Sequence, residues 1–334
     1  MFNIRDHNID LLRFVGLSLI ILAHVTPPSI VLNLRCFDVP LMVFVSGLTC
    51  YKKDIQFSWG YLSHRFARLV FPVWIFLTVY FLMIYAAKFV GLDFGLTFKQ
   101  VYESYLLMDG IGFVWIIRVL LLIALVTPGL IKINQTIKSD TLFIWLYSIV
   151  LILYLLIAYY KVGMDIALVR DWVYYAIGYG FVFLLGIRMK DLKCVDIMLL
   201  IAIMVALFFT MGVVGKYSIL RVESIFLHIN DWKYPPTSIF LLYGLIMAVL
   251  GYTIVNIKRR ARLNTIVDFI GCNSIWIYLW HIPFISITAR MEMVWWLRFV
   301  IIYLGAAGIY FVQYSLINWI GKRKNYKLFK YLIG

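Results

Sequence analysis

Apolar stretches long enough to cross a bilayer follow one another along almost the whole of this chain, separated by short polar joints. A helix needs about 20 mainly apolar residues to cross the hydrocarbon core. Such stretches lie at 9–26, 37–51, 69–88, 112–131, 141–160, 172–187, 196–214, 237–256, 269–289 and 296–319. Backbone amides in lipid must be bonded internally, so runs of this length imply helices rather than open sheets. Composition agrees: 64% of the 334 residues are hydrophobic and only 14% are charged, far less charge than a soluble domain carries. The expected fold is all-α and polytopic, a single transmembrane domain over 1–334 with ten spans and a basic tail at 320–334. The span at 37–51 is short, but Lys52 and Lys53 stop it sharply and Pro40 suits a first helical turn. Asp10 and Arg13 near the start of the first span, with no small-residue cleavage site, make that span a retained anchor.

A net charge of +15 would suggest nucleic acid for a soluble protein. In a membrane protein it reads instead as basic residues gathered in cytoplasmic joints, so no nucleic-acid partner is expected. With the N-terminus cytoplasmic, 20 of the 31 basic residues fall in inner segments and 10 in outer ones, while Arg118 lies inside a span. That asymmetry places both termini on the cytoplasmic side. The tail GKRKNYKLFKYLIG would then lie on the anionic inner leaflet, with membrane lipids as its partner. Cys36, Cys50, Cys194 and Cys272 show neither paired nor metal-ligand spacing.

Ionisable side chains inside a membrane are expensive and usually mark a site. Arg13 and His24 stand eleven residues apart in IDLLRFVGLSLIILAHV. On one helix they would share a face, separated by roughly 16 Å along the axis. A neutral imidazole can take a proton from a hydroxyl, which makes His24 a candidate general base; the alternative is a histidine that only bonds a neighbouring helix. Asp10 precedes Arg13 by one turn and can pair with it, fixing either span depth or an anion anchor at the cytoplasmic mouth. Arg65 and Arg68, three residues apart in SHRFARLVFP, offer guanidinium forks of the kind that suit phosphates; ordinary inner-leaflet charge would also explain them.

Substrate-side candidates are Trp115 and Arg118 in GFVWIIRVLLL, where Arg118 binds substrate or pairs with a buried acid. His281 in SIWIYLWHIPF sits two residues before Pro283, a break that either lines a cavity or leaves the histidine bonded to a freed carbonyl. Tyr234 begins the rigid turn Tyr234-Pro235-Pro236. Asp38 and Ser46 in DVPLMVFVSG are weaker, since Ser46 beside Gly47 could serve only close helix packing. His7, His64 and His228 fall in surface segments and rank low. The chain has no P-loop, HExxH or GxSxG pattern, so no metal site or nucleotide cleavage is expected.

Taken in order, these segments resemble the acyltransferase family 3 membrane proteins. IDLLRFVGLSLIILAH is similar to their first span, with an acidic residue, Leu, Arg, ten residues and His. DVPLMVFVSGLTCYKK resembles their second span, although Met42 and Val43 stand where aromatics are common. RFARLVFPVW resembles their arginine pair followed by Pro, VWIIRVLLLIALVTP their Trp-containing span, and NSIWIYLWHIPF their late span with His. The resemblance implies a multi-pass enzyme of the bacterial inner membrane. It would move an acyl group, most often acetyl, from cytoplasmic acyl-CoA to a hydroxyl of a surface glycan or its lipid-linked precursor. Carried over by position, His24 is the catalytic histidine, and Arg13, Arg65 and Arg68 line the acyl-CoA side; Asp10, which can orient Arg13, is counted with His24 among the catalytic candidates. The chain resembles the stand-alone type of the family. No resident cofactor is implied, acetyl-CoA being a donor substrate. The competing reading is a flippase or transporter of lipid-linked or charged sugars, with Arg118, His24 and His281 along its path; such proteins often carry an inverted repeat, and none is found.

Overall fold

The computed structural model describes residues 6–214, 228–257, 265–323 and Leu332. Arg5, Lys216, Arg221, the Lys258–Arg262 joint and most of the basic tail at 320–334 lie outside the described residues. In chain order the helices are α1 (His7–Ala23), α2 (Ser29–Leu34), α3 (Asp38–Leu48), α4 (Trp59–Phe89), α5 (Phe98–Tyr105), α6 (Trp115–Thr136), α7 (Asp140–Tyr159), α8 (Tyr174–Arg188), α9 (Cys194–Val214), α10 (Ser238–Ile257), α11 (Thr265–Cys272), α12 (Ser274–Thr288) and α13 (Trp295–Arg323). Among the described residues there are no strands, so the all-α expectation stands.

Side-chain caps start several of these helices. Asp6 accepts from the Asn8 amide at α1, Ser58 from Tyr61 at α4 and Ser139 from Leu142 at α7. The cap at Ser58 begins α4 some ten residues before the apolar stretch at 69–88, so Arg65 and Arg68 belong to the helix itself. Pro72, Pro128 and Pro283 lie inside α4, α6 and α12, which membrane helices tolerate because neighbours satisfy the freed carbonyls.

All ten stretches fall on helix, but the count of ten spans is not shown. Among the described residues, seven segments are long and apolar enough to cross a membrane, or eight if α11 and α12 are one interrupted span. The segment 29–48, comprising α2 and α3, is one of the seven. Two stretches fall short in length: α1 has 17 residues and α8 has 15. For α8 the helix continues on its N-terminal side as a five-residue π-helix, Val169–Val173, so its 15 residues are not the whole helical run; twelve of them are buried.

The chain divides into two compact units. The first holds residues 1–55 and 126–271; the second holds 56–125 and 272–334. In the first unit α3 packs against α8 and α1, and α10 against α9 and α3. A polar knot fixes one end of this unit. Arg188, at the end of α8, donates to Asp140 Oδ1 through Nε at 3.0 Å and Nη2 at 2.6 Å. It also donates to the Ile137 and Lys138 carbonyls at 2.9 and 3.1 Å, satisfying carbonyls beyond the end of α6. Arg188→Leu leaves those acceptors unmet and Asp140 without its partner, and is expected to cost about 3 kcal/mol or more. The check is thermal unfolding of the purified protein, where a Tm within about 1 °C of the wild type overturns the expectation.

In the second unit α12 packs against α13 and α4, and α4 also meets α5. Trp280 donates to Gln313 Oε1 at 2.6 Å and Tyr310 to Asn273 Oδ1 at 2.7 Å, so α13 is tied to α12 and to the residue just before it. Trp74 donates to the Tyr105 carbonyl at 2.9 Å, holding α5 on α4.

Candidate active site

In the first unit α1 carries the predicted pair. Arg13 Nη1 donates to Asp10 Oδ1 at 3.3 Å; the Asp10 carboxylate is buried and the guanidinium is about a third exposed. This is the one-turn pairing expected from their spacing. Buried Asp10 also lies where α11 crosses α1: a Cβ on Gly271 would come within 2.1 Å of the Asp10 carbonyl oxygen. His24 is not inside the helix, as the same-face argument assumed. It caps the C-terminus of α1, with φ −96° and ψ 5°, and its amide donates to the Ile21 carbonyl at 3.0 Å. The His24 side chain is half-buried.

One low-ranked histidine proves better placed than its sequence position suggested. His7, one turn before Asp10, meets Asp268 Oδ2 of α11 at 2.8 Å. A single acid in the apolar segment TIVDFIGC was the available signal for Asp268.

Ser46 lies in α3 and donates to the Met42 carbonyl at 2.9 Å. Its neighbour Gly47 does serve close packing, with a Cβ there falling 2.3 Å from the Phe183 carbonyl oxygen of α8. Tyr234 is largely exposed in the turn before α10. The turn is held by Tyr154, whose hydroxyl donates to the Pro236 carbonyl at 2.8 Å.

Sequence reasoning missed a second polar centre in this unit. Arg35 and Lys233, both read as residues of outer joints, are 5% and 4% exposed and converge on Asp38, 1% exposed. Arg35 Nη1 donates to Asp38 Oδ2, and Lys233 Nζ lies 3.4 Å from each carboxylate oxygen. The i, i+3 spacing of Arg35 and Asp38 was the visible sign; Lys233, nearly 200 residues away, gave none. Burial lowers the Lys233 pKa below the ordinary lysine value, and Asp38 opposes that.

In the second unit Arg65 and Arg68 lie one turn apart on α4. The Arg65 guanidinium sits 5.4 Å from the centre of the Tyr61 ring, and Tyr61 donates to the Ala124 carbonyl at 3.0 Å. Trp115 is the first residue of α6. Arg118 is buried, and its Nη1 approaches Met108 Sδ at 3.4 Å. His281 is wholly buried in α12, its Nδ1 against the Tyr278 carbonyl and its ring edge-on to Phe113, centroids 6.0 Å apart. That is the carbonyl-bonded arrangement, although Pro283 frees the Leu279 carbonyl and not that of Tyr278. Tyr278 donates to the Phe113 carbonyl, so the entry to α6 and His281 share one neighbourhood.

The family model described as an acyltransferase domain matches residues 6–316 of the chain. The chain belongs to acyltransferase family 3. No curated protein and no solved structure matches. Family membership and the apolar helices together make this a multi-pass membrane acyltransferase. The matched range takes in every candidate residue, from Asp10 to His281.

Proposed function

We propose that this acyltransferase is an O-acyltransferase of the bacterial cytoplasmic membrane with both termini cytoplasmic. It moves an acyl group, acetyl by family default, from cytoplasmic acyl-CoA to a hydroxyl of a surface polysaccharide or its lipid-linked precursor. The observation that carries this reading is the family match over residues 6–316. Support comes from an imidazole at the end of α1 and a carboxylate-held arginine eleven residues before it.

In this reading His24 accepts the proton of the acceptor hydroxyl as its oxygen attacks the thioester carbonyl carbon. The tetrahedral intermediate collapses with cleavage of the C–S bond, and the imidazolium returns its proton to the departing thiolate. Asp10 orients Arg13; Arg13, Arg65 and Arg68 take the anionic groups of acyl-CoA. Arg118, Trp115, His281, Ser46 and Tyr234 are assigned to the acceptor. Acyl-CoA is consumed as a substrate, and no resident cofactor enters the scheme.

Removing both Arg65 and Arg68 to Ala is expected to raise KM for acyl-CoA about tenfold or more, from the loss of charge-assisted bonds, while kcat changes little. Steady-state kinetics at varied acyl-CoA checks this; a fall in kcat at unchanged KM removes the phosphate role. The reading as a whole is tested by mass spectrometry of surface glycan from cells with and without the protein. An added alkali-labile acyl mass that depends on the protein supports it. An unchanged glycan, with the protein expressed and its native glycan present, favours transport of lipid-linked sugars instead.

A further inference from the structure

The first turn of α1 is tied to helices far away in the chain, and one of these ties leads to the Asp10–Arg13 pair. His7 Nδ1 donates to Asp268 Oδ2 of α11 at 2.8 Å. Asp10 follows His7 by one turn of α1, and Gly271 follows Asp268 by one turn of α11. At that next turn the contact is backbone on backbone, since a Cβ added to Gly271 would run into the carbonyl group and Cα of Asp10. The two helices therefore meet at successive turns, through a side-chain hydrogen bond at the first and through main chain at the second. All of these residues belong to the first unit.

This crossing bears on how Arg13 is held. The Asp10 side chain is 4% exposed and that of Arg13 31%. An ion pair with one partner out of water is screened less than a surface pair, so it orients its open partner more firmly. With Gly271 against its main chain, Asp10 owes part of its shelter to α11. Arg13 is thus gripped on one side by a sheltered carboxylate and open on the other to a ligand. Binding groups keep their aim only when a supporting shell holds them.

We propose that His7 and Asp268 are positioning residues for the acyl-CoA anchor: by fixing α11 on α1, they keep Asp10 sheltered and Arg13 aimed at the anionic groups of the donor. The assignment rests on the acyltransferase reading of Arg13 and adds two residues that act through Asp10 and not on the ligand.

The test is saturation binding of labelled acetyl-CoA to the full-length protein in nanodiscs, which separates Kd from the number of sites. His7→Ala and Asp268→Leu are expected to raise Kd about three- to tenfold with the number of sites unchanged, the effect of one lost hydrogen bond. Asp268→Asn keeps an acceptor oxygen, and His7→Asn keeps an amide donor near the place of Nδ1, so both are expected to bind within about twofold of the wild type. Gly271→Ala pushes α11 off Asp10 without altering the pair and is expected to raise Kd likewise. In an Arg13→Ala background, Asp268→Leu is expected to add nothing, because the group it positions is gone. Asn256→Ala is the control: it cuts the 3.2 Å bond from Asn8 to α10 at the same turn of α1 and is expected to leave Kd unchanged. A merely structural tie would lower Tm or the number of sites at unchanged Kd. That result overturns the assignment, as does a rise in Kd that persists in the Arg13→Ala background or that Asn256→Ala matches. A wild-type protein that binds no acetyl-CoA removes the reading of Arg13 and this inference together. A wild type that binds it, with His7 and Asp268 variants that bind equally well, removes this inference alone.

Discussion

His24→Ala folds like the wild type and loses acyl transfer from acyl-CoA by a factor of about 10² to 10⁴, the range that follows loss of a general base. Its normal folding follows from where His24 sits. The backbone ends α1, through an amide bond to the Ile21 carbonyl that alanine makes equally well. The side chain is half-buried, so truncating it opens no large cavity. Activity and stability should therefore separate cleanly, which they would not for a buried core residue. His24→Asn sharpens the test, because asparagine can hydrogen-bond but cannot take the proton; it is expected to be as inactive as alanine. Asp10→Asn, by contrast, loosens Arg13 and should act mainly through KM for acyl-CoA. The measurements are transfer of labelled acetyl from acetyl-CoA, with Tm recorded in parallel. A His24→Ala protein that turns over like the wild type removes His24 as the base.

Much of this was readable in the chain because lipid leaves so few options. Backbone amides without water must close on themselves, so the apolar stretches announced helices, and all of them fall on helix. The Asp10–Arg13 pair was readable for a similar reason, since one helical turn fixes which residues meet. Span count was less legible. Hydropathy records that α8 is apolar, but not that a π-helical segment, Val169–Val173, interrupts the helical run before it. The buried centre at Asp38 was mostly hidden. Arg35 looked like an outer joint, and the partner that completes the cluster, Lys233, is joined to it only by tertiary packing. His7 was misjudged likewise, because its partner Asp268 is 261 residues away. Short-range spacing carries pairs within one helix; it carries nothing about which helices touch.

The contact that brings α3 onto α8 gives the second large effect. Gly47 and Gly186 meet face to face: a Cβ on Gly47 would lie 2.3 Å from the Phe183 carbonyl oxygen, and one on Gly186 would lie 2.3 Å from that of Phe44. Both obstacles are backbone, so no side chain can rotate aside, and the helices must part. Gly186→Val is expected to cost about 3 kcal/mol or more, at or above the upper end of the usual overpacking range, and Gly47→Val about the same. The two costs should not add. Once one valine has separated the helices, the second enters space already opened, so the double variant falls short of the sum. This is the small-residue logic of membrane interfaces, where close approach of backbones replaces the hydrophobic drive. Thermal unfolding of Gly186→Ala and Gly186→Val decides it: a valine variant with wild-type Tm would mean that α3 and α8 do not pack through these glycines.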